Sequence, residues 1–226
     1  GAAPLDPDWK RRAEAFYGVA LQNGYGMTEA TAGVCATKNS SLGNPDISVG
    51  PPLPGVELRI DESVAGGGDG IGEVQIRGDN VMLGYYRNPE ETAQVLDQDG
   101  WLRSGDLGRL DAQGFLHIEG RSKELIIHGG FNVFPPEVEA ALNAHPQVVQ
   151  SAVVGRRSKG DEEVLAFVQV CEGDRPDPAD LMQFVRGQLA GYKCPAQIVL
   201  TEALPAAPTG KILKHKLLEH FAQQLR

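Results

Sequence analysis

Long apolar runs are absent from this chain. No stretch reaches the roughly 18 to 20 consecutive apolar residues that would carry a helix across a bilayer, so no transmembrane helix is expected. Cysteine is scarce. Cys35, Cys171 and Cys194 lie far apart, with neither the spacing of a metal site nor the even number of a disulfide framework. Such usage points to a reducing, cytoplasmic setting. Positive charge is in deficit as well: 21 Lys and Arg stand against 30 Asp and Glu, for a net charge of −9. That balance excludes nucleic acid as a bulk electrostatic partner. The opening residues, Gly1-Ala2-Ala3-Pro4-Leu5-Asp6, have no initiator Met and no basic patch leading into an apolar stretch. They do not read as a signal peptide, and a fragment of a longer protein is expected. His117, His128, His145, His215 and His220 show no ligand spacing and read as structural or exposed.

What is present suffices for a core. The chain has 226 residues and 41% of them are hydrophobic, enough for one large domain or two modest ones. Residues 6–17 read as a helix capped by Asp6, with Pro7 at its first position and Trp9, Ala13 and Phe16 at helical spacing. Val19-Ala20-Leu21-Gln22 reads as a short strand. Val56, Leu58 and Ile60, then Val74 and Ile76, alternate as in a hairpin around the flexible Gly66–Gly72 loop. Residues 89–95 suggest a short helix, and 107–118 a second hairpin around Asp111-Ala112-Gln113-Gly114. Beyond Lys123 the pattern becomes mixed. Strands are expected at 125–127, 148–154, 164–170 and 198–200, and helices from Pro135, over 178–189 and over 214–225.

Four short strings carry the chemistry. In Gly24-Tyr25-Gly26-Met27-Thr28-Glu29, two glycines allow a tight turn that leaves the Tyr25 ring one free face, which suits a purine as well as it suits packing in a turn. A single carboxylate such as Glu29, joined by phosphate oxygens, is a sufficient protein contribution for Mg²⁺. Gly105-Asp106-Leu107 offers a carboxylate able to accept two hydroxyls, although a turn aspartate looks the same. Gly120-Arg121-Ser122-Lys123-Glu124 falls where the pattern changes, as a hinge or a linker would. Pro208-Thr209-Gly210-Lys211 puts a lysine at the tip of a turn. It is not a nucleotide P-loop, since Pro205 stands where that motif needs its first Gly and Ile212 where it needs Ser or Thr.

In this order the strings resemble the adenylate-forming superfamily: acyl-CoA synthetases, luciferases and peptide-synthetase adenylation domains. The resemblance covers almost the whole chain. It implies an α+β fold, with a mostly-β, distorted barrel-like subdomain over 1–122 followed by a small, mobile, mixed domain over 123–226. It also implies ATP, Mg²⁺ and coenzyme A as cofactors. Tyr25 would stack on adenine, with Gly26 beside it; Thr28 would meet the α-phosphate and Glu29 would hold Mg²⁺. Asp106 would bind ribose with Arg121 assisting, Lys123 would be the hinge, and Lys211 would serve adenylation. His128-Gly129-Gly130-Phe131-Asn132-Val133-Phe134-Pro135-Pro136-Glu137 resembles the CoA-ligase form of the loop, with Gly129 and Gly130 lining the thiol passage. The implied substrate is a fatty or aromatic acid. The alternatives are a domain that loads a carrier protein and a non-catalytic module derived from a ligase. The superfamily's Ser/Thr/Gly-rich phosphate loop ending in Lys is not in these residues, so little or no ligase activity is expected of them alone.

Overall fold

The computed structural model describes residues 5–158, 160–171, 173 and 176–225. The first four residues, part of the opening stretch discussed above, lie outside that set. The chain divides into two units, Gly1–Lys123 and Glu124–Arg226.

In the first unit, α1 spans Pro7–Tyr17. Asp6 Oδ1 accepts the N–H groups of Asp8 and Trp9 at 2.8 and 2.9 Å, and Gly18, at φ 68°, ends the helix. The helix is where the sequence put it, but its buried face is not the apolar one. Trp9 and Phe16 are exposed, whereas Lys10 and Glu14 are buried. Glu14 accepts the N–H groups of Leu21 and Gly43 at 3.0 and 2.9 Å, and Lys10 donates to the Asn44 carbonyl. Those bonds also explain why Val19–Gln22 is not a strand. Its backbone is satisfied by side chains: Leu21 donates to Glu14, and its carbonyl accepts from Asn39 Nδ2 at 3.0 Å.

Strands β1 (Gly24–Tyr25) and β2 (Cys35–Ala36) pair antiparallel, flanking a 3₁₀ turn at Thr28–Ala30. Then come β3 (Val56–Asp61), β4 (Gly72–Gly78), α2 (Pro89–Val95), β5 (Leu102–Leu110) and β6 (Leu116–Arg121). The four strands form an antiparallel sheet in sequence order, β3-β4-β5-β6. This sheet is open, so the barrel-like expectation is corrected: β3 and β6 are edges and do not pair with each other. Val74, Ile76, Leu102 and Leu116 on the sheet bury against Ala30, Val34 and Cys35 from the β1–β2 region. The core therefore sits directly under the Gly24–Glu29 string.

The second unit follows a 3₁₀ turn at Ser122–Glu124. It contains the hairpin β7 (Ile126–His128) and β8 (Phe131–Val133), α3 (Pro135–Asn143), β9 (Val148–Ser158), β10 (Asp161–Val170), α4 (Pro178–Arg186), β11 (Gln197–Thr201) and the short α5 (Leu217–His220). The sheet order is β11-β10-β9, with β10 antiparallel to β9 and parallel to β11. Both faces of β10 are covered. Val138, Leu142, Leu181 and Val185 of α3 and α4 pack with Ala166 and Val168. Leu204, Leu217 and Phe221 pack with Leu165 and Phe167 on the other side. Double coverage explains an unbroken apolar run at Val164-Leu165-Ala166-Phe167-Val168. The helix expected over 214–225 is interrupted. Phe221 leaves helical dihedrals (φ −104°, ψ 19°) where its ring stacks on Phe167 at 5.1 Å. Among the described residues no helix is long and apolar enough to cross a membrane.

Phe167→Ala should cost about 3–5 kcal/mol in urea unfolding read from second-unit amides; a loss below about 1 kcal/mol would show that β10 is not the packed centre. The two backbone N–H groups on Glu14 hold its carboxyl below the ordinary value of 4.5. A depressed folded value means that its stabilisation is complete above 4.5 and is lost as pH falls through the lower folded value. NMR shifts of the Leu21 and Gly43 amides should therefore titrate together, with a midpoint below 4.5.

Candidate active site

Three residues from three strands meet at one carboxylate. Tyr25 lies on β1, while Asp106 and Arg121 face each other in the β5–β6 register. The Tyr25 hydroxyl donates to Asp106 Oδ2 at 2.6 Å, and Arg121 Nε lies 3.1 Å from Oδ1. Asp106 is only 6% exposed, while the Arg121 side chain is 59% exposed. Below them, Ser104 Oγ accepts the Asp106 N–H at 3.1 Å and donates to the Val74 carbonyl at 2.6 Å. Burial raises the Tyr25 hydroxyl well above the ordinary phenol value, and the Asp106 charge raises it further. The phenol therefore stays protonated as a donor, and the carboxylate keeps lone pairs for further hydroxyls. Asp106 sits within β5 and is not a turn aspartate.

The turn beyond Tyr25 is held by close approach. A Cβ at Gly26 would lie 1.6 Å from the Ala32 carbonyl oxygen, so only glycine fits. Asn80 Nδ2 donates to the carbonyls of Ala30 (3.2 Å) and Gly33 (2.8 Å), and the Met82 N–H donates to the Glu29 carbonyl at 2.8 Å. Glu29 Oε1 accepts the Tyr85 hydroxyl at 3.0 Å. Tyr85 thereby aims the Glu29 carboxylate. Burial, then that hydrogen bond, raise the Tyr85 hydroxyl above its ordinary value. Among the described residues the other Glu29 oxygen has no protein partner, and no three His, Cys, Asp or Glu side chains gather as a metal cluster. That donor set fits a cation completed by substrate phosphates and water. Thr28 is exposed at the head of the turn, its carbonyl accepting the Thr31 N–H at 3.1 Å.

In the second unit, Gly129 and Gly130 form the two-residue turn between β7 and β8, at φ 58° and 81°. Both positive angles favour glycine, and nothing lies within 4 Å of a Cβ built at either position. Conformation, not crowding, sets these residues. The turn is braced from one side: both Asp161 oxygens accept the Gly129 N–H at 3.0 Å, and His128 Nδ1 lies 3.2 Å from Asp161 Oδ2. Beside it, Phe131 stacks on Tyr192 with centroids 4.7 Å apart, and Lys193 Nζ reaches both Glu137 oxygens at 2.7 Å. That pair ties the segment before β11 to α3. Lys211 is exposed at the end of a turn closed by Ala207 N–H to Lys211 O and Gly210 N–H to Ala207 O, each 2.8 Å. Lys123 is exposed within the Ser122–Glu124 turn.

Residues 1–86 match the family model of the AMP-binding enzymes, and residues 137–211 match that of the AMP-binding enzyme C-terminal domain. The chain belongs to this adenylate-forming family. Among its relatives is the sulfoacetate–CoA ligase of Cupriavidus necator, 39% identical over 97% of this chain and 43% of the relative. The long-chain-fatty-acid–CoA ligase of Bacillus subtilis is 39% identical over 97% of this chain and 40% of the relative. The feruloyl-CoA synthase of an Amycolatopsis species is 38% identical over 98% and 45%. The ATP-bound structure of MatB from Rhodopseudomonas palustris superposes with a TM-score of 0.88 at 37% identity, covering 99% of this chain and 45% of that one. The chain thus spans less than half the length of the curated relatives it matches.

Gly26→Ala should destabilise the first unit by about 3 kcal/mol or more, because a methyl must displace backbone. At Gly24 the Cβ would meet the Cys35 carbonyl at 3.1 Å, so Gly24→Ala should cost about 1 kcal/mol or less. Equal costs in thermal melts would refute the close approach at Ala32.

Proposed function

We propose that this chain is the nucleotide-closing and thiol-accepting part of an AMP-forming acid–thiol ligase. The convergence of Tyr25 and Arg121 on the buried Asp106 carries this reading. It offers a rigid acceptor for two ribose hydroxyls beside an aromatic face for adenine. Thr28 meets the α-phosphate, and Glu29, aimed by Tyr85, would hold Mg²⁺, which offsets phosphate charge when bound. An acid carboxylate attacks the α-phosphorus of ATP, forming acyl-adenylate and releasing pyrophosphate. Lys211 brings a mobile positive charge to the pentacoordinate transition state. The thiol of coenzyme A, having lost its proton, then attacks the acyl carbon, and AMP leaves. The open Gly129-Gly130 turn gives the slim thiol arm a path free of side chains. A pivot at Lys123 lets one small unit serve both steps.

Near-equal identity, 39%, 39% and 38%, to ligases named for sulfoacetate, long-chain fatty acids and ferulate supports a further point. The acid is chosen outside the matched part, and this chain carries machinery common to all three. A fatty or aromatic acid remains the substrate class proposed here. Since the phosphate loop is absent from these residues, residues 1–226 alone should give no measurable thioester.

The test is acid-dependent ATP–pyrophosphate exchange by the full-length gene product, across fatty, aromatic and short-chain acids. Exchange with one class is expected, and none with any acid would overturn the reading. Lys211→Ala should cut adenylation about 100-fold or more, while thioester formation from supplied acyl-adenylate survives. Gly130→Leu should reverse that pattern, and Gly130→Asn, which tolerates positive φ, should retain more of the thiol step. Equal loss of both steps in Lys211→Ala would remove its assigned role.

A further inference from the structure

Lys214 stands three residues beyond Lys211, and its side chain is largely buried at 21% exposure. Its ammonium lies 2.8 Å from Glu139 Oε1 on α3 and 3.0 Å from Glu124 Oε2 in the Ser122–Glu124 turn. Glu139 Oε1 also accepts the Val153 N–H of β9 at 2.7 Å. Burial raises the Glu139 carboxyl. Desolvation works against the Lys214 ammonium, but the two carboxylates outweigh it and hold its pKa above the ordinary lysine value. One cation therefore joins the residue after Lys123, the helix after the Gly129-Gly130 turn, and the foot of the Lys211 turn. One cation shared by two carboxylates on separate segments fixes geometry strictly, because removing it leaves the buried Glu139 carboxylate without its charge partner.

We infer that Lys214 is a positioning residue that locks the foot of the Lys211 turn to the residue next to the hinge, so that Lys211 travels with that turn as one body. The inference rests on the roles given above to Lys211 and Lys123. Its physical part is testable without them. The Leu213 N–H donates to the Pro205 carbonyl at 2.8 Å, so the exchange of the Ala207, Gly210 and Leu213 amides reports on the turn.

In the 226-residue chain, Lys214→Met should speed hydrogen exchange at those three amides about 10-fold or more, with β10 amides from Val164 to Val168 unchanged. Glu124→Gln should give part of that acceleration, and should add nothing once Lys214 is already Met. Unchanged turn amides in a folded Lys214→Met chain would overturn the inference, as would equal acceleration in β10, the mark of general destabilisation. If Lys214→Met does not fold, Lys214→Met with Glu139→Gln removes the stranded carboxylate and is read the same way. In the full-length gene product, Lys214→Met should lower adenylation about 10-fold relative to thioester formation from supplied acyl-adenylate. A merely structural lysine would leave that ratio unchanged. A gene product that adenylates no acid would defeat the ligase reading while the exchange result still decides the role of Lys214.

Discussion

The buried carboxylate of Asp106 is the constraint on which the first unit's site depends. It lies on β5, takes a phenol hydroxyl from β1 and an arginine from β6, and is nearly closed to water. A carboxylate removed from water is costly unless its oxygens are satisfied. Tyr25 and Arg121 satisfy them, and in doing so fix how the glycine turn meets the open sheet. The same pairing leaves a rim where the exposed Arg121 reaches solvent and the carboxylate keeps unused lone pairs. Stability and the ribose binding proposed for Asp106 thus rest on one arrangement. Cys35, opposite Tyr25 in the ladder, marks how dry this region is: burial pushes its thiol up to about 12.

Charge is used differently in the second unit. Its functional strings sit on turns at the margin of a core built around β10, and ion pairs fasten each turn to that core. Asp161 holds the Gly129 amide, Glu137 holds Lys193, and Glu139 with Glu124 holds Lys214. Lys211 has no such fastening among the described residues, as the mobile role proposed for it requires.

Much of this was legible in the sequence, for local reasons. Asp6 and Pro7 mark α1 because caps and φ restrictions act within a few residues. Alternation at Val56, Leu58 and Ile60 and at Val74 and Ile76 marks the β3–β4 hairpin because one face is buried. The buried side of α1 was not legible, since Lys10 and Glu14 are covered by partners in the 43–44 loop rather than by apolar contact. Val19–Gln22 looks like a strand until side chains claim its backbone. The bond from Tyr85 to Glu29 spans 56 residues, and that from Lys214 to Glu124 spans 90. Neither has a local signature, and pairings made only by the finished fold leave no periodicity to read. The order of the motifs pointed to the family, but which side chains aim them came from tertiary structure.

The two-sided burial of β10 has a consequence for how the second unit comes into being on the ribosome. Strand β9 pairs with β10 through a short connection and can do so early, whereas β11 pairs in parallel only after α4 has crossed over. The second face, at Leu165 and Phe167, receives Leu204 and is completed only when Leu217 and Phe221 arrive. Lys211 lies between Leu204 and Leu217. Its turn takes shape only when synthesis of the unit is nearly complete, so a nascent chain cannot hold that lysine in its folded turn before the fold around it has closed.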